Sequence, residues 1–217
     1  MNNQSTRQYS PFDNLINQFD NSLRTLFGNP QTTERDNPAK AVNETDLSEQ
    51  EKILSGRLMR INHCGEVAAQ GLYQGQALTA KLDNVRDKMN QAAIEENDHL
   101  DWCASRIKEL QTHTSFLNPA WYFGSFSIGA IAGLAGDKWS LGFVAETEHQ
   151  VIKHLDEHLE QIASNDKKSR AILEQMKIDE RKHATFALDA GAADLPAPVK
   201  VLMKFTSKIM TRASYWV

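Results

Sequence analysis

The feature that most constrains this chain is a pattern of glutamate and histidine that occurs twice. In each half, a helix-length segment carrying one glutamate, Glu66 or Glu148, is followed about 30 residues later by Glu-x-x-His. Residues three positions apart lie on one face of an α-helix, so each motif presents both side chains in the same direction. The two motifs are Glu96-x-x-His99 and Glu180-x-x-His183. The pattern therefore predicts four helices that direct carboxylates and imidazoles toward a shared interior.

The glutamates of this pattern lie on apolar faces. Glu66 falls among Ile61 and Leu72 at helical spacing, and Glu148 falls among Val144 and Val151. An unpaired carboxylate in an apolar core is costly, so a compensating charge is expected. One Glu from each of two helices and Glu-x-x-His from the other two is the ligand set of a ferritin-like dinuclear carboxylate site. The predicted metal ligands are Glu66, Glu96, His99, Glu148, Glu180 and His183.

The charge balance and the ligand types are consistent with a dinuclear site. Four carboxylates carry four negative charges, which two divalent ions would neutralise, and oxygen and nitrogen ligands without a thiolate suit iron or manganese. The alternative is a set of carboxylates at the core edge paired with Arg or Lys, but the candidate faces hold few cations. The net charge of −4 and pI near 6.0 argue against a general nucleic-acid binder.

The remaining signals indicate an all-α chain. Helical periodicity predicts bundle helices over 49–80, 84–112, 139–164 and 167–190, with a further helix over 197–214. Ser48 and Glu51 form a capping-box pattern at the start of the first of these. A short amphipathic helix from about Phe12 to Phe27 and a polar linker over 29–46 precede them. We therefore expect an N-terminal extension and linker over 1–47 and a four-helix bundle domain over 48–217.

The segment between the second and third bundle helices is a long hydrophobic crossover. From Leu110 to Gly136, 27 residues contain no Asp, Glu, Lys or Arg. A crossover of this kind joins the second and third helices of a bundle when those two helices run parallel. The sequence leaves three alternatives open: a buried crossover, an interfacial element over 116–134 that dips into a bilayer, and a membrane span.

The C-terminal helix has a basic, amphipathic pattern. Lys200, Lys204, Lys208 and Arg212 recur every four residues, apolar residues fill the other side, and 199–217 contain no acidic residue. This pattern is typical of a helix that lies on an anionic bilayer. The alternative is a helix that packs on the bundle and exposes its basic face to water.

Three further residues receive weaker predictions. His154 lies six residues after Glu148 and is a candidate to hydrogen-bond a ligand carboxylate, although an ordinary surface or core histidine fits equally. Tyr73 lies two turns after Glu66, where it is a candidate contact to a ligand or substrate, although packing is the more common role. His158 is expected to be solvated.

Six motifs of the chain occur together in a known order: Ile61-Asn62-His63-Cys64-Gly65-Glu66, Tyr73-x-Gly75-Gln76, Glu96-x-x-His99-Leu100, Pro119-x-Trp121, Glu148 with His154, and Asp179-Glu180-x-x-His183. With these motifs the chain resembles the demethoxyubiquinone hydroxylase family, a family of ferritin-like di-iron monooxygenases of ubiquinone biosynthesis. The resemblance covers about 48–217 and leaves 1–47 outside it.

The resemblance implies that the six residues bind two iron ions, with Glu96 and Glu180 bridging them. Glu146 also lies near the third helix's ligand position, but Glu148 matches the family spacing from His99 without a gap. Beyond the metal ligands, the resemblance implies no separate catalytic residue.

The implied reaction is hydroxylation of the ring of a polyprenylated demethoxyubiquinol with O₂ and a reductant. A polyprenyl substrate implies peripheral binding to the cytoplasmic side of a bacterial cell membrane, and a homo-oligomer or other ubiquinone-biosynthesis proteins as partners. The alternative function is ferritin-type iron oxidation and storage. Storage accounts for the ligands but not for the uncharged crossover or the basic C-terminal helix.

Overall fold

The computed structural model of the chain describes residues 11–28, 30–33, 35–43 and 46–217. This part of the chain forms seven α-helices and no strand, which confirms the all-α prediction. The helices are α1 (Pro11–Phe27), α2 (Glu49–Thr79), α3 (Asp83–Glu109), α4 (Asn118–Ala135), α5 (Asp137–Gln161), α6 (Lys167–Asp189) and α7 (Ala197–Ser214). The four predicted bundle helices correspond to α2, α3, α5 and α6.

Local signals in the sequence mark where α2 and α6 begin. The Ser48 side chain accepts a hydrogen bond from the Glu51 backbone, and the Glu51 carboxylate accepts one from the Ser48 backbone at 2.7 Å, so the capping box is present. Asp166 caps α6 by accepting a hydrogen bond from the Ser169 backbone at 3.0 Å.

Two apolar clusters fill the bundle, and the predicted site lies between them along each of its four helices. In α2 and α6 the chain passes first through the cluster that contains Met59 and Met176, and then through the one that contains Tyr73 and Ala187. In α3 and α5 the order is reversed. The second and third bundle helices therefore run parallel, as the long crossover requires.

The crossover forms α4, which packs closely along α2. A Cβ on Gly71 or Gly75 would overlap a carbonyl oxygen of α4, namely that of Tyr122 or Phe126. Glycine at these two positions therefore allows the two backbones to approach.

Of the three alternatives left open for the crossover, a buried one does not fit most of α4. Within it only Asn118, Tyr122, Gly129 and Gly133 are buried, whereas large apolar side chains such as Ile131 are exposed. The reason is that α4 lies on the outside of the bundle and contacts it through one narrow face. Among the residues that the structure describes, no helix is both long and apolar enough to cross a membrane.

The C-terminal helix α7 lies against α2 and α5 with its large apolar residues facing outward. Val201 is 67% exposed and Phe205 is 59% exposed, whereas Met203, Ser207 and Met210 face the bundle. The helix therefore packs on the bundle through these residues and leaves both its large apolar side chains and the basic residues Lys204 and Lys208 exposed.

Candidate metal centre

The interior of the bundle brings all six predicted residues together. They form two overlapping groups, and within each group the candidate ligand atoms all lie within 4.8 Å of one another. The groups are Glu66, Glu96, His99 and Glu180, and Glu96, Glu148, Glu180 and His183. Two carboxylates, Glu96 and Glu180, belong to both groups, which places them between two adjacent positions for a cation.

The two histidines present the same nitrogen to the carboxylates. His99 Nδ1 lies 2.7 Å from Glu96 Oε2 and 3.2 Å from Glu180 Oε1. His183 Nδ1 lies 3.0 Å from Glu96 Oε1 and 3.3 Å from Glu180 Oε2. The Nδ1 atoms therefore face the cluster from opposite sides of the shared carboxylates.

The donor set fits bound cations. Glu96 Oε1 and Glu180 Oε1 are buried without a hydrogen-bond partner, although a histidine nitrogen lies near each. Buried carboxylate oxygens normally have hydrogen bonds, and leaving them without one costs free energy. A metal ion coordinated by these oxygens would supply the missing interaction.

The outer nitrogen of each histidine contacts a further carboxylate. His99 Nε2 lies 3.3 Å from Asp179 Oδ2, and His183 Nε2 lies 2.8 Å from Glu95 Oε2. Such carboxylates orient a metal-binding imidazole and raise its basicity. The sequence alone assigned Glu95 and Asp179 no role. A signal for them was present, since an acid directly precedes the glutamate of each Glu-x-x-His motif.

Burial shifts the proton affinities of the cluster strongly. It raises the pKa of Glu66 well above its usual range, and the charge of Glu96 adds to that shift. It raises the pKa of Glu148 in the same way, and there the charge of Glu180 adds to the shift. Burial also acts to raise the pKa of Glu96, but His99 and His183 outweigh it and lower that pKa. Protons and metal cations therefore compete for the same carboxylates.

Tyr73 contacts the cluster directly. Its side chain is fully buried, and its phenol donates a hydrogen bond to Glu148 Oε1. Of the two open interpretations of Tyr73, contact with a predicted ligand is therefore the one that the geometry favours.

The structure does not bear out the prediction that His154 hydrogen-bonds a ligand carboxylate. His154 Nε2 lies 3.1 Å from Ser207 Oγ on α7, and Nδ1 lies 3.5 Å from Glu157 Oε2, because the ring points away from the cluster toward the C-terminal helix. Glu146 also points toward α7, where Lys200 lies 3.7 Å away. This geometry favours Glu148 over Glu146.

The expectation that His158 is solvated is wrong. His158 is 6% exposed and its Nδ1 lies 2.9 Å from Asn62 Oδ1, because α5 turns this position toward α2. Burial lowers the pKa of His158 to about 4, and the nearby His154 adds to this shift.

An apolar cavity of about 340 Å³ reaches the cluster from one side. Glu66 is one of its lining residues, and α4 and α7 line it through residues such as Trp121 and Met203. A largely apolar cavity that ends at a polar centre is typical of a site for a hydrophobic ligand. The wall residues on α7 include Thr206, Ser207, Met210 and Thr211.

This fold and site define a helical-bundle protein with a buried carboxylate–histidine cluster able to hold metal ions. A family model described as Ubiquinone biosynthesis protein COQ7 matches residues 54–214, and the chain belongs to this family.

Individual relatives align with nearly the whole chain. A protein named 3-demethoxyubiquinol 3-hydroxylase from Nitrosococcus oceani is 61% identical over 211 residues, which cover 97% of this chain and 99% of that protein. Proteins with the same name from Ectopseudomonas mendocina and Nitrosomonas europaea are 59% and 58% identical, over 97% and 94% of this chain and 98% of each relative. The similarity therefore extends into 1–47, which the sequence resemblance had left outside.

Proposed function

We propose that this chain is a hydroxylase of ubiquinone biosynthesis that adds a hydroxyl group to the ring of a polyprenylated demethoxyubiquinol, using O₂ and a reductant. The observation that carries the proposal is the junction of the apolar cavity with the Glu/His cluster at Glu66. The names of the relatives support the substrate class.

We propose two iron ions as the metals of the cluster. Glu66 and His99 would hold one ion and Glu148 and His183 the other, with Glu96 and Glu180 shared between them. Bound iron supplies the redox chemistry by which O₂ is activated. A donor set of carboxylate oxygens and imidazole nitrogens suits iron. The six buried ligands come from four helices, which would fix both metal positions before metal enters.

The chain's own residues position the substrate and exclude water. The cavity walls are apolar near Ala69, Leu72 and Ile128, so a ring bound there would displace solvent from the approach to Glu66. The hydrogen bond from Tyr73 holds Glu148 in place at the far side of the cluster.

The outer faces of α4 and α7 support peripheral membrane binding. Both helices wall the cavity, and both expose large apolar side chains such as Phe123, Ile131 and Phe205. Exposed apolar surface beside a basic helix is typical of an interfacial membrane site. We propose that this face docks on the cytoplasmic leaflet of the cell membrane, so that a polyprenyl tail enters between α4 and α7.

Iron content and product formation together test the proposed reaction. Purified chain reconstituted anaerobically with ferrous iron should bind two equivalents, and with a short-chain demethoxyubiquinol, O₂ and a reductant it should yield the hydroxylated ring, detected by mass spectrometry. Absence of stoichiometric iron, or of product from the iron-loaded protein, would overturn the proposal. Ferritin-type storage is not favoured by the relatives, and it predicts a large hollow assembly on a sizing column instead.

Vesicle sedimentation tests the membrane proposal separately. Reversing the charges of Lys204 and Lys208 should reduce sedimentation with anionic phosphatidylglycerol vesicles and leave iron content unchanged. The matched control reverses Lys88 and Lys108, which are exposed on α3, a helix that does not line the cavity. Equal behaviour of the two double variants would contradict a docking role for α7.

A further inference from the structure

A residue that precedes the bundle reaches the outer side of the metal centre. Arg35 lies in the segment between α1 and α2, and its Nε donates a hydrogen bond to Asp98 Oδ2 at 2.6 Å. Its second nitrogen, Nη1, donates to Asp179 Oδ2 at 2.8 Å. The guanidinium also stacks on Trp102, with 5.0 Å between Cζ and the ring centroid. One side chain thereby joins α3 to α6 beside the cluster.

The oxygen that Arg35 contacts is the one that faces His99. Asp179 Oδ2 lies 3.3 Å from His99 Nε2, whereas the Lys182 ammonium donates to the other oxygen, Oδ1, at 2.8 Å. Gln175 donates to both oxygens at 3.2 Å. Lys182 and Gln175 belong to α6 itself, so Arg35 is, besides His99, the contact that holds this carboxylate from outside α6.

The second histidine has a different environment on its outer side. Its partner Glu95 has a side chain that is 37% exposed, compared with 4% for Asp179, and Glu95 accepts a hydrogen bond from Gln91 at 2.9 Å. The two halves of the cluster are therefore alike in their inner ligands and unlike in what holds the outer carboxylates.

We propose that Arg35 is a positioning residue of the metal centre, which acts through Asp179 to hold His99 and so retains the metal at the His99 position. This inference rests on the proposed metal centre. Arg35 lies before residue 54, where the match to the family model begins, so a segment outside that match would complete the site.

The chemistry of the guanidinium explains why arginine is needed here. Its planar fork can donate to two carboxylates at once with fixed geometry, which a single ammonium group cannot reproduce. A carboxylate held firmly against Nε2 fixes the orientation of the ring and keeps Nδ1 facing the metal. Loss of such an outer partner typically weakens metal binding by about 10- to 100-fold.

Metal release from the full chain tests this inference. Protein loaded anaerobically with two equivalents of ferrous iron is mixed with a chelator, and the release of each equivalent is followed by absorbance. Arg35→Gln should release one equivalent about 10-fold faster or more and leave the other at its wild-type rate.

Thr33→Val is the matched control in the same segment. It removes the Thr33 hydroxyl, which donates to Asp98 Oδ2 at 2.5 Å, and leaves the contact between Arg35 and Asp179 in place. Both equivalents should leave this variant at wild-type rates. Equal acceleration in Thr33→Val and Arg35→Gln would show that the segment only stabilises the fold, and would overturn the inference.

A double variant tests the route through Asp179. If Arg35 acts through this carboxylate, Arg35→Gln should add no further acceleration to a chain that already carries Asp179→Asn, and an added effect would contradict the inference. Where circular dichroism shows that Arg35→Gln is unfolded, Arg35→Lys takes its place and should show the same acceleration at one metal position. A wild-type chain that retains no iron would overturn the proposed centre, whereas two retained equivalents with unchanged release in the Arg35 variant would overturn this inference alone.

Discussion

Tyr73 and Glu148 meet in the interior of the bundle, where the phenol of α2 donates a hydrogen bond to the carboxylate of α5. Tyr73 is fully buried and Glu148 is 2% exposed, so water does not compete for this contact. The bond fixes one carboxylate oxygen of a residue that belongs to the His183 side of the cluster. Tyr73 also belongs to the apolar cluster that contains Ala187, so the packing of that cluster helps to orient the site.

Removing the phenol hydroxyl should weaken one metal position. Tyr73→Phe is expected to lower the affinity for ferrous iron at the His183 position by about 10-fold, because Glu148 loses the donor that orients it. Anaerobic titration with ferrous iron measures this change. Tyr122→Phe is the control, since that buried hydroxyl bonds Gln74 at 2.5 Å. Equal losses in both variants would contradict a specific role for Tyr73.

Shared and unshared carboxylates should differ in how much metal they retain. Glu180 belongs to both groups of candidate ligands, so Glu180→Gln should lose both iron equivalents. Glu66 and Glu148 belong to one group each, so Glu66→Gln or Glu148→Gln should lose one equivalent. Iron analysis after gel filtration checks the stoichiometry. Two equivalents bound to Glu180→Gln would refute the assignment of that residue as a shared ligand.

The contact between α2 and α4 should be sensitive to a single methyl group. Gly75→Ala places a Cβ against the Phe126 carbonyl oxygen, so the helices must separate, and we expect a loss of about 2 kcal/mol in the free energy of unfolding. Gly124→Ala on α4 meets no atom within 4 Å and should stabilise the chain by up to about 1 kcal/mol. Urea unfolding distinguishes the two. Similar stabilities for both variants would contradict close packing of α4 on α2.

His158 should make stability depend on pH in a defined window. Burial holds its pKa at about 4 in the folded chain, against about 6.5 in an unfolded one. Between these values the unfolded state binds a proton that the folded state does not, so this contribution to stability is complete above about pH 6.5 and falls as pH falls toward 4. The loss attributable to this group is about 3 kcal/mol across the window.

A variant without the imidazole isolates this contribution. The stability advantage of the wild type over His158→Gln should shrink by about 2 kcal/mol between pH 7 and pH 4.5, as measured by urea unfolding. His149→Gln, at an exposed position on the same helix, is the control. An advantage that stays constant with pH would show that His158 is not buried in its neutral form.

The sequence by itself determined the helices and the six residues that they direct inward. The reason is local: Glu96 and His99 lie on one face because the α-helix has a fixed period, whatever surrounds it. The apolar residues around Glu66 and Glu148 then indicate which face is interior. The capping box at Ser48 and Glu51 is local in the same sense, and the structure contains it.

The tertiary structure alone decided which side chains meet across helices. Asp179 on α6 pairs with His99 on α3. Arg35 reaches both helices although it precedes Asp98, the nearer of its two partners, by 63 residues. Such pairings depend on the packing register and rotation of whole helices, which no local periodicity encodes.

The tertiary structure alone also decided which apolar residues are exposed at the surface. The uncharged crossover and the apolar residues of α7 fit a buried or an exposed place equally well as sequences. Their exposure follows from how α4 docks, because Gly71 and Gly75 let it approach α2 along one narrow face and leave the opposite face outward.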